Sequence, residues 1–150
     1  MPFQPSAPLS LSGSITPTTI SEPGGAPVEI IEVGVPFHVN VSWEIHGAAV
    51  PLMAGTFTVK VFFESIGPGP ERTYVHAPDI NVLSGTLSFP LGVPRRDYVG
   101  LADVAIPGVG PNSLPEGAYN MIALLTYKTP ANTPGPIAGY SDEKIVQVFP

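Results

Sequence analysis

Hydrophobic and polar residues alternate along much of the chain. From Phe37 to Ile45 every odd position is apolar, and from His38 to His46 every even position is polar. A similar period of two runs through residues 56–64 and 117–128. Successive side chains of a strand point to opposite faces of a sheet, so each stretch predicts a strand with one buried face. The core positions predicted in the first stretch are Phe37, Val39, Val41, Trp43 and Ile45.

Glycine or proline separates nearly every pair of predicted strands, and no segment has sustained helical periodicity. Short strands between such turn signals are typical of a β-sandwich or barrel, and we predict an all-β domain of about eight or nine strands. The predicted strands cover residues 9–15, 28–33, 37–47, 56–64, 72–77, 80–91, 98–107, 117–128 and 143–149, and the sixth bends at Ser84–Gly85.

The N-terminal segment, residues 1–27, has prolines at positions 2, 5, 8, 17, 23 and 27. Because proline removes a backbone donor and fixes φ, we predict an extended arm rather than a helix. Within it, Leu9, Leu11 and Ile15 suit one short strand, which can pair with an edge of its own sheet or of a neighbour's. The predicted organisation is an arm over residues 1–27 and an antiparallel sandwich over residues 28–150.

Residues 114–127, LPEGAYNMIALLTY, resemble the penultimate strand of immunoglobulin-like and fibronectin type III sandwiches. The shared pattern is a glycine-containing turn, then a tyrosine, then alternating apolar residues. The resemblance covers roughly residues 28–149 as architecture, and this fold hosts many unrelated functions. It implies that the hydroxyl of Tyr119 bonds to nearby backbone and that Trp43 is a core tryptophan. Met121 stands where antibody domains have a cysteine, which excludes the antibody subtype.

Charge and cysteine content narrow the functional classes. The formal net charge is −6, and the first 59 residues contain no Lys or Arg. This distribution lacks the basic footprint of a nucleic-acid binder and the polybasic patch of a membrane-surface protein. No apolar run reaches the length of about 20 residues that a membrane helix needs. The chain has no cysteine, which excludes disulfides and thiolate nucleophiles.

The N-terminal segment has neither the basic region nor the unbroken apolar run of a signal peptide. The cellular location is therefore open. Among the possibilities, the surface of a virion or an extracellular assembly is the favoured expectation.

The polar row of residues 38–46 contains residue types that acid–base or metal sites use. Glu44 and His46 are about 7 Å apart along a strand and could share a ligand, whereas His38 and His46 are about 27 Å apart and cannot hold one ion. The alternative is the solvated face of an antiparallel sheet. His76 with Asp79 is a second candidate pair, but no motif supplies the nucleophile it would need. We predict no catalytic, metal or cofactor site, and hence no enzyme.

Three apolar residues break the polar faces of their strands. If the odd positions form the core, Phe62, Ile122 and Leu124 point away from it. Exposed apolar residues of this kind mark a contact surface, unless the arm or a long loop of the same molecule covers them. Arg95 and Arg96 form the only local basic pair, which either grips a partner's carboxylate or is a solvated loop.

Together these features favour a non-catalytic structural protein. The hypothesis is a subunit of a repeating assembly, such as a virion or phage surface, a filament or a cell-surface layer. Its partners would be copies of itself or another structural protein. Its predicted contact residues are Leu9, Leu11, Ile15, Phe62, Ile122, Leu124, Arg95 and Arg96. The alternative is a module that binds carbohydrate or another cell-surface ligand, using Tyr74, His76, Tyr98 and Tyr140.

Overall fold

A computed structural model describes residues 12–20 and 28–150 of the chain. Two β-sheets form an all-β sandwich, as the alternation predicted, and the described residues form eleven strands rather than eight or nine. The strands are β1 (Ser12–Ile20), β2 (Ile30–Glu32), β3 (Phe37–His46), β4 (Thr56–Ser65), β5 (Arg72–Val75), β6 (Ile80–Asn81), β7 (Thr86–Ser88), β8 (Arg95–Ile106), β9 (Gly117–Lys128), β10 (Pro134–Tyr140) and β11 (Lys144–Phe149). Three short 3₁₀ turns lie at Val50–Leu52, Val82–Ser84 and Pro90–Gly92.

The first sheet has the strand order β1-β3-β8-β7, and all of its neighbours are antiparallel. The second sheet has the order β2-β11-β9-β4-β5. In addition, β10 pairs with β9 and β6 pairs with β4. The short strand β2 runs parallel to β11, and the remaining pairs of this sheet are antiparallel.

Strand β1 lies inside the segment that the sequence assigned to an arm. All nine of its residues pair with β3, from Ser12 opposite His46 to Ile20 opposite His38. Pro17 is compatible with this position because β1 is an edge strand, where a missing N–H breaks no ladder. Residues 12–20, which the sequence assigned to the arm, are therefore part of the first sheet. The remaining arm positions, Leu9, Leu11 and residues 21–27, lie outside the described residues.

One other departure and one confirmed prediction involve glycine and proline. Strand β10, with the sequence PGPIAGY, was missed because its prolines and glycines predict a loop. The bend predicted at Ser84–Gly85 is confirmed, since β6 and β7 are separated there by a 3₁₀ turn. Gly85 packs against the ring of Tyr98, where an added Cβ would lie 2.7 Å from ring carbons. A side chain at position 85 would therefore overlap the core.

The core lies between the sheets and contains the residues that the alternation placed inward. All five predicted residues of β3 are at most 3% exposed. Trp43 stacks on Tyr98 with ring centroids 4.9 Å apart and meets the edge of Phe57 at 5.8 Å. The hydroxyl of Tyr119 donates to the carbonyl oxygen of Pro115 at 2.7 Å, which confirms the expected bond to nearby backbone. The inward residues of β4 and β9 are also buried: Phe57, Val59, Val61, Phe63, Tyr119, Met121, Ala123 and Leu125.

Candidate functional site

The outer face of the second sheet carries a group of apolar side chains. Phe62 on β4 lies opposite Ile122 on β9, and Leu124 lies opposite Tyr140 on β10. Ile145 on β11 lies opposite Asn120, one step further along the outward side of β9. Directly opposed residues share a face of the sheet. We call these five residues, Phe62, Ile122, Leu124, Tyr140 and Ile145, the outer apolar face.

The exposure of these side chains differs across the group. Tyr140 is 48% exposed and Ile145 is 61% exposed, whereas Phe62, Ile122 and Leu124 are half-buried. The prediction that the last three point away from the core is confirmed by their positions. They are half-buried because cross-strand neighbours, whose Cβ atoms lie about 5 Å apart, cover part of one another's surface.

A shallow groove of about 380 Å³ adjoins this face. It arises beside β10, whose pairing with β9 shifts register between Pro134 and Ala138. Ala138 and Gly139 fill little space there, so the groove is open between the side chains of Lys60 and Tyr140. Its lining is formed by Thr58, Lys60, Leu124, Leu125, Thr126, Ala138, Gly139 and Tyr140.

The polar row of β3 lies on the outer face of the first sheet, where its two histidines lie close to carboxylates. His46 Nδ1 lies 3.0 Å from the carboxylate of Glu44, and His38 Nδ1 lies 3.2 Å from that of Asp103. The two histidines are at opposite ends of β3, as the spacing predicted. Within residues 12–20 and 28–150, no three His, Asp or Glu side chains are grouped so that they could hold a metal ion.

His76 and Asp79 do not pair with each other. His76 Nδ1 lies 3.4 Å from the carbonyl oxygen of Asp103. The carboxylate of Asp79 accepts from the Thr58 hydroxyl at 3.1 Å and pairs with Lys128 Nζ at 3.4 Å. The arrangement in which an aspartate orients a histidine base is therefore not formed by these two residues.

Three side chains bridge the two sheets along one side of the sandwich: Arg72 and Tyr74 on β5, and His76 directly after it. Arg72 donates to the Pro111 carbonyl at 3.1 Å, and the hydroxyl of Tyr74 donates to the Asn112 carbonyl at 2.5 Å. With His76, they connect the second sheet to β8 and the loop that follows it. Sequence reasoning missed this role, because the acceptors are 38 and 39 residues away along the chain.

The aromatic candidates for a sugar site are therefore dispersed. Tyr98 is fully buried, and its hydroxyl donates to the Val82 carbonyl at 2.5 Å. Tyr74 and His76 make the contacts that bridge the two sheets. Tyr140 alone of the four candidates lies on the outer apolar face.

The two arginines have partners within the chain. Arg95 forms a bidentate contact with Asp97, with its closest approach at 2.8 Å, and lies 4.0 Å from Glu44. One nitrogen of Arg96 donates to the Gly85 carbonyl at 3.0 Å. These contacts leave both side chains engaged on the first sheet, away from the outer apolar face.

Ile15 is also engaged within the chain. It is 4% exposed and lies opposite Trp43, as a member of the core. Leu9 and Leu11, the other predicted arm contacts, lie outside the described residues.

No protein-family model matches the sequence, and the search of curated proteins found no relative. The described residues contain no helix with the length and hydropathy needed to cross a bilayer. The functional inference consequently rests on the chain's own residues.

Proposed function

We propose that this chain is a non-catalytic, immunoglobulin-like β-sandwich that works by protein–protein contact, as a subunit that associates with copies of itself in a repeating assembly. Settings that suit such a subunit are a virion or phage surface, a filament or a cell-surface layer. The observation that supports the contact is the outer apolar face, five apolar side chains that adjoin across four strands of one sheet.

The immunoglobulin-like assignment is supported by strand order. The first sheet, β1-β3-β8-β7, corresponds to the order A-B-E-D. In the second sheet, β11-β9-β4-β5 corresponds to G-F-C-C′. The bond from Tyr119 matches the tyrosine corner on strand F. Trp43 departs from the pattern, because β3 corresponds to strand B whereas the immunoglobulin core tryptophan lies on strand C.

The charges beside the outer apolar face suit a contact between two identical surfaces. Lys60 and Glu64 flank Phe62 on the outward side of β4, and both are exposed. In a two-fold contact, if one residue of the first copy touches a different residue of the second copy, the same two residues also touch with the copies exchanged. A two-fold axis that passes near Phe62, in the plane between the two copies and perpendicular to β4, would place Lys60 against Glu64 of the second copy, twice, around an apolar centre. Depletion of charge at the centre with polar residues at the rim is typical of protein interfaces.

The test is the mass of the protein in solution over a range of concentrations, by sedimentation velocity and light scattering. We expect the wild-type chain to associate and Leu124→Lys to shift it toward monomer. Ile145→Lys, at a more exposed position, should act in the same direction without disturbing the fold. The matched control is Thr16→Lys, which adds the same charge at an exposed position of β1 and should leave association unchanged.

Charge reversal tests the reciprocal pairing separately. Lys60→Glu should weaken association, and the combination of Lys60→Glu with Glu64→Lys should restore it. A wild-type chain that stays monomeric at every concentration would contradict the proposal, as would association that neither Leu124→Lys nor Ile145→Lys reduces.

A further inference from the structure

One end of the sandwich is built from loops that contain no charged residue. Residues 47–55 follow β3, residues 82–94 surround β7, and residues 129–133 follow β9. None of these segments has an Asp, Glu, Lys, Arg or His, although the whole chain has a net charge of −6.

Backbone hydrogen bonds hold these segments together as one surface. The N–H of Gly47 donates to the Pro94 carbonyl at 2.9 Å, and the N–H of Val82 donates to the Gly55 carbonyl at 2.9 Å. The hydroxyl of Tyr127, at the end of β9, donates to the Ala54 carbonyl. We call this surface the uncharged end.

Five exposed apolar side chains project from the turns of the uncharged end, and a sixth, Leu87, lies on β7 itself at 39% exposure. Leu91 is fully exposed and has a φ of 52°, in the left-handed region that non-glycine residues rarely adopt. Gly92 follows with a φ of 80°, so the turn projects the Leu91 side chain outward. The five are Leu52 (78% exposed), Leu83 (58%), Phe89 (58%), Leu91 (103%) and Val93 (42%). An apolar group of this kind, drawn from the segments 47–55 and 82–94, marks a contact site.

Charge favours a second copy as the occupant. Two copies that each carry a formal net charge of −6 repel each other, and this repulsion is weakest where the approaching surfaces carry no charge. The opposite end carries Glu71 and Glu116 in its loops, so two opposite ends would oppose carboxylates. An anionic membrane would need free basic residues. The basic residues that border this end are already engaged: Arg95 with Asp97, Arg96 with the Gly85 carbonyl and Lys128 with Asp79.

We propose that the uncharged end binds the uncharged end of a second copy. This inference deepens the proposed function and rests on it, because it supplies a second contact in addition to the outer apolar face. Two different two-fold contacts on one molecule link copies alternately face to face and end to end. Such an arrangement need not close at a dimer and continues into a chain.

The experiment compares variants at the two surfaces by sedimentation velocity and electron microscopy of the full chain. We expect wild-type protein to form extended assemblies. Leu91→Asp should stop assembly at dimers and raise the concentration for half-assembly at least about tenfold, because one buried leucine side chain is lost from the contact. Leu124→Lys should also stop at dimers, and the combined variant should be monomeric. The control is Val109→Asp, 75% exposed in a loop at the other end, which should assemble as wild type does.

Each contrary outcome identifies which contact is wrong. If wild type forms only dimers that Leu124→Lys dissociates and Leu91→Asp does not, the end contact is wrong and the outer apolar face stands. If Leu91→Asp alone gives monomers, the outer apolar face is wrong.

Two further outcomes would replace the second copy with another occupant. Residues 1–11 precede Ser12, which pairs with His46 at the uncharged end. If deleting residues 2–11 changes assembly while Leu91→Asp does not, that segment is the occupant. The occupant is lipid if the wild-type protein does not self-assemble but sediments with phosphatidylcholine vesicles, and if Leu91→Asp no longer sediments with them.

Discussion

Two tyrosine hydroxyls connect the apolar core to the backbone around it. Tyr98 donates to the Val82 carbonyl and Tyr119 donates to the Pro115 carbonyl. A buried phenol needs such a partner, because burying a hydroxyl without a hydrogen bond destabilises the folded state by more than a typical hydrogen bond stabilises it. At the residue scale, these bonds place the turns before β7 and β9 against the core.

Removing one of these hydroxyls should lower stability by a small, measurable amount. Tyr119→Phe keeps the ring and deletes the bond to Pro115, and we expect a loss of about 1 kcal/mol in the free energy of unfolding. Urea denaturation followed by Trp43 fluorescence measures it. Tyr140→Phe, at a half-exposed ring, is the control and should change stability by less than about 0.5 kcal/mol. Equal effects of the two variants would contradict a structural role for the Tyr119 bond.

At the element scale, strict alternation decided which strands could be predicted. Strands β3, β4 and β9 alternate almost without interruption, so their ranges and buried faces were predicted correctly. Strand β10 has two prolines and two glycines in seven residues, and only its pairing with β9 makes it extended. The strand predicted at residues 9–15 continues to Ile20 in β1, because pairing with β3 extends through Ile20 opposite His38.

The packing of β1 gives an element-scale prediction. Ile15→Ala should destabilise the protein by about 2–5 kcal/mol, the range for removing most of a buried isoleucine from a core. Thr16→Ala, at the next and exposed position, should have little effect. Chemical denaturation of both variants measures the difference. A loss below about 1 kcal/mol for Ile15→Ala would contradict the packing of β1 in its own sandwich.

The pairing of β1 decides which deletion tests whether the N-terminal segment pairs with a neighbouring copy. Deleting residues 1–20 would also remove β1, so a change in size would have two explanations. Deleting residues 2–11 keeps every described residue of β1, Ser12–Ile20.

At the scale of the whole molecule, burial of tyrosines couples stability to alkaline pH. Burial raises the pKa values of Tyr74, Tyr98, Tyr119 and Tyr127 above the ordinary value of 10.0, and most strongly that of Tyr98. The guanidinium of Arg72 partly opposes the rise at Tyr74 and Tyr119. The folded state therefore keeps these phenolic protons at a pH where the unfolded chain loses them.

The sign of the pH dependence follows from this difference. The tyrosine contribution to stability is complete below pH of about 10 and is lost as the pH rises through the folded-state pKa values. We expect the free energy of unfolding to fall above pH 10, with phenolate absorbance appearing together with unfolding. Tyr98→Phe should make that fall less steep. Phenolate absorbance that appears fully while the protein remains folded would contradict the prediction.

The candidate site was partly accessible from the sequence. Phe62, Ile122 and Leu124 were found because each breaks an alternating pattern. Tyr140 and Ile145 were not assigned to the same surface, because the first lies on the missed strand β10 and the second lies on a strand whose neighbours only pairing reveals.

The sequence by itself determined the all-β class, the inward faces of the long strands and the small number of basic residues, because composition and a period of two are local properties of the chain. Only the tertiary structure decided the strand order, the place of β1 in the first sheet and the uncharged end. Each of these depends on hydrogen bonds and packing between residues that are far apart in sequence. Leu52 belongs to a different segment from Leu83 and Leu91, and nothing in either segment shows that these residues share a surface.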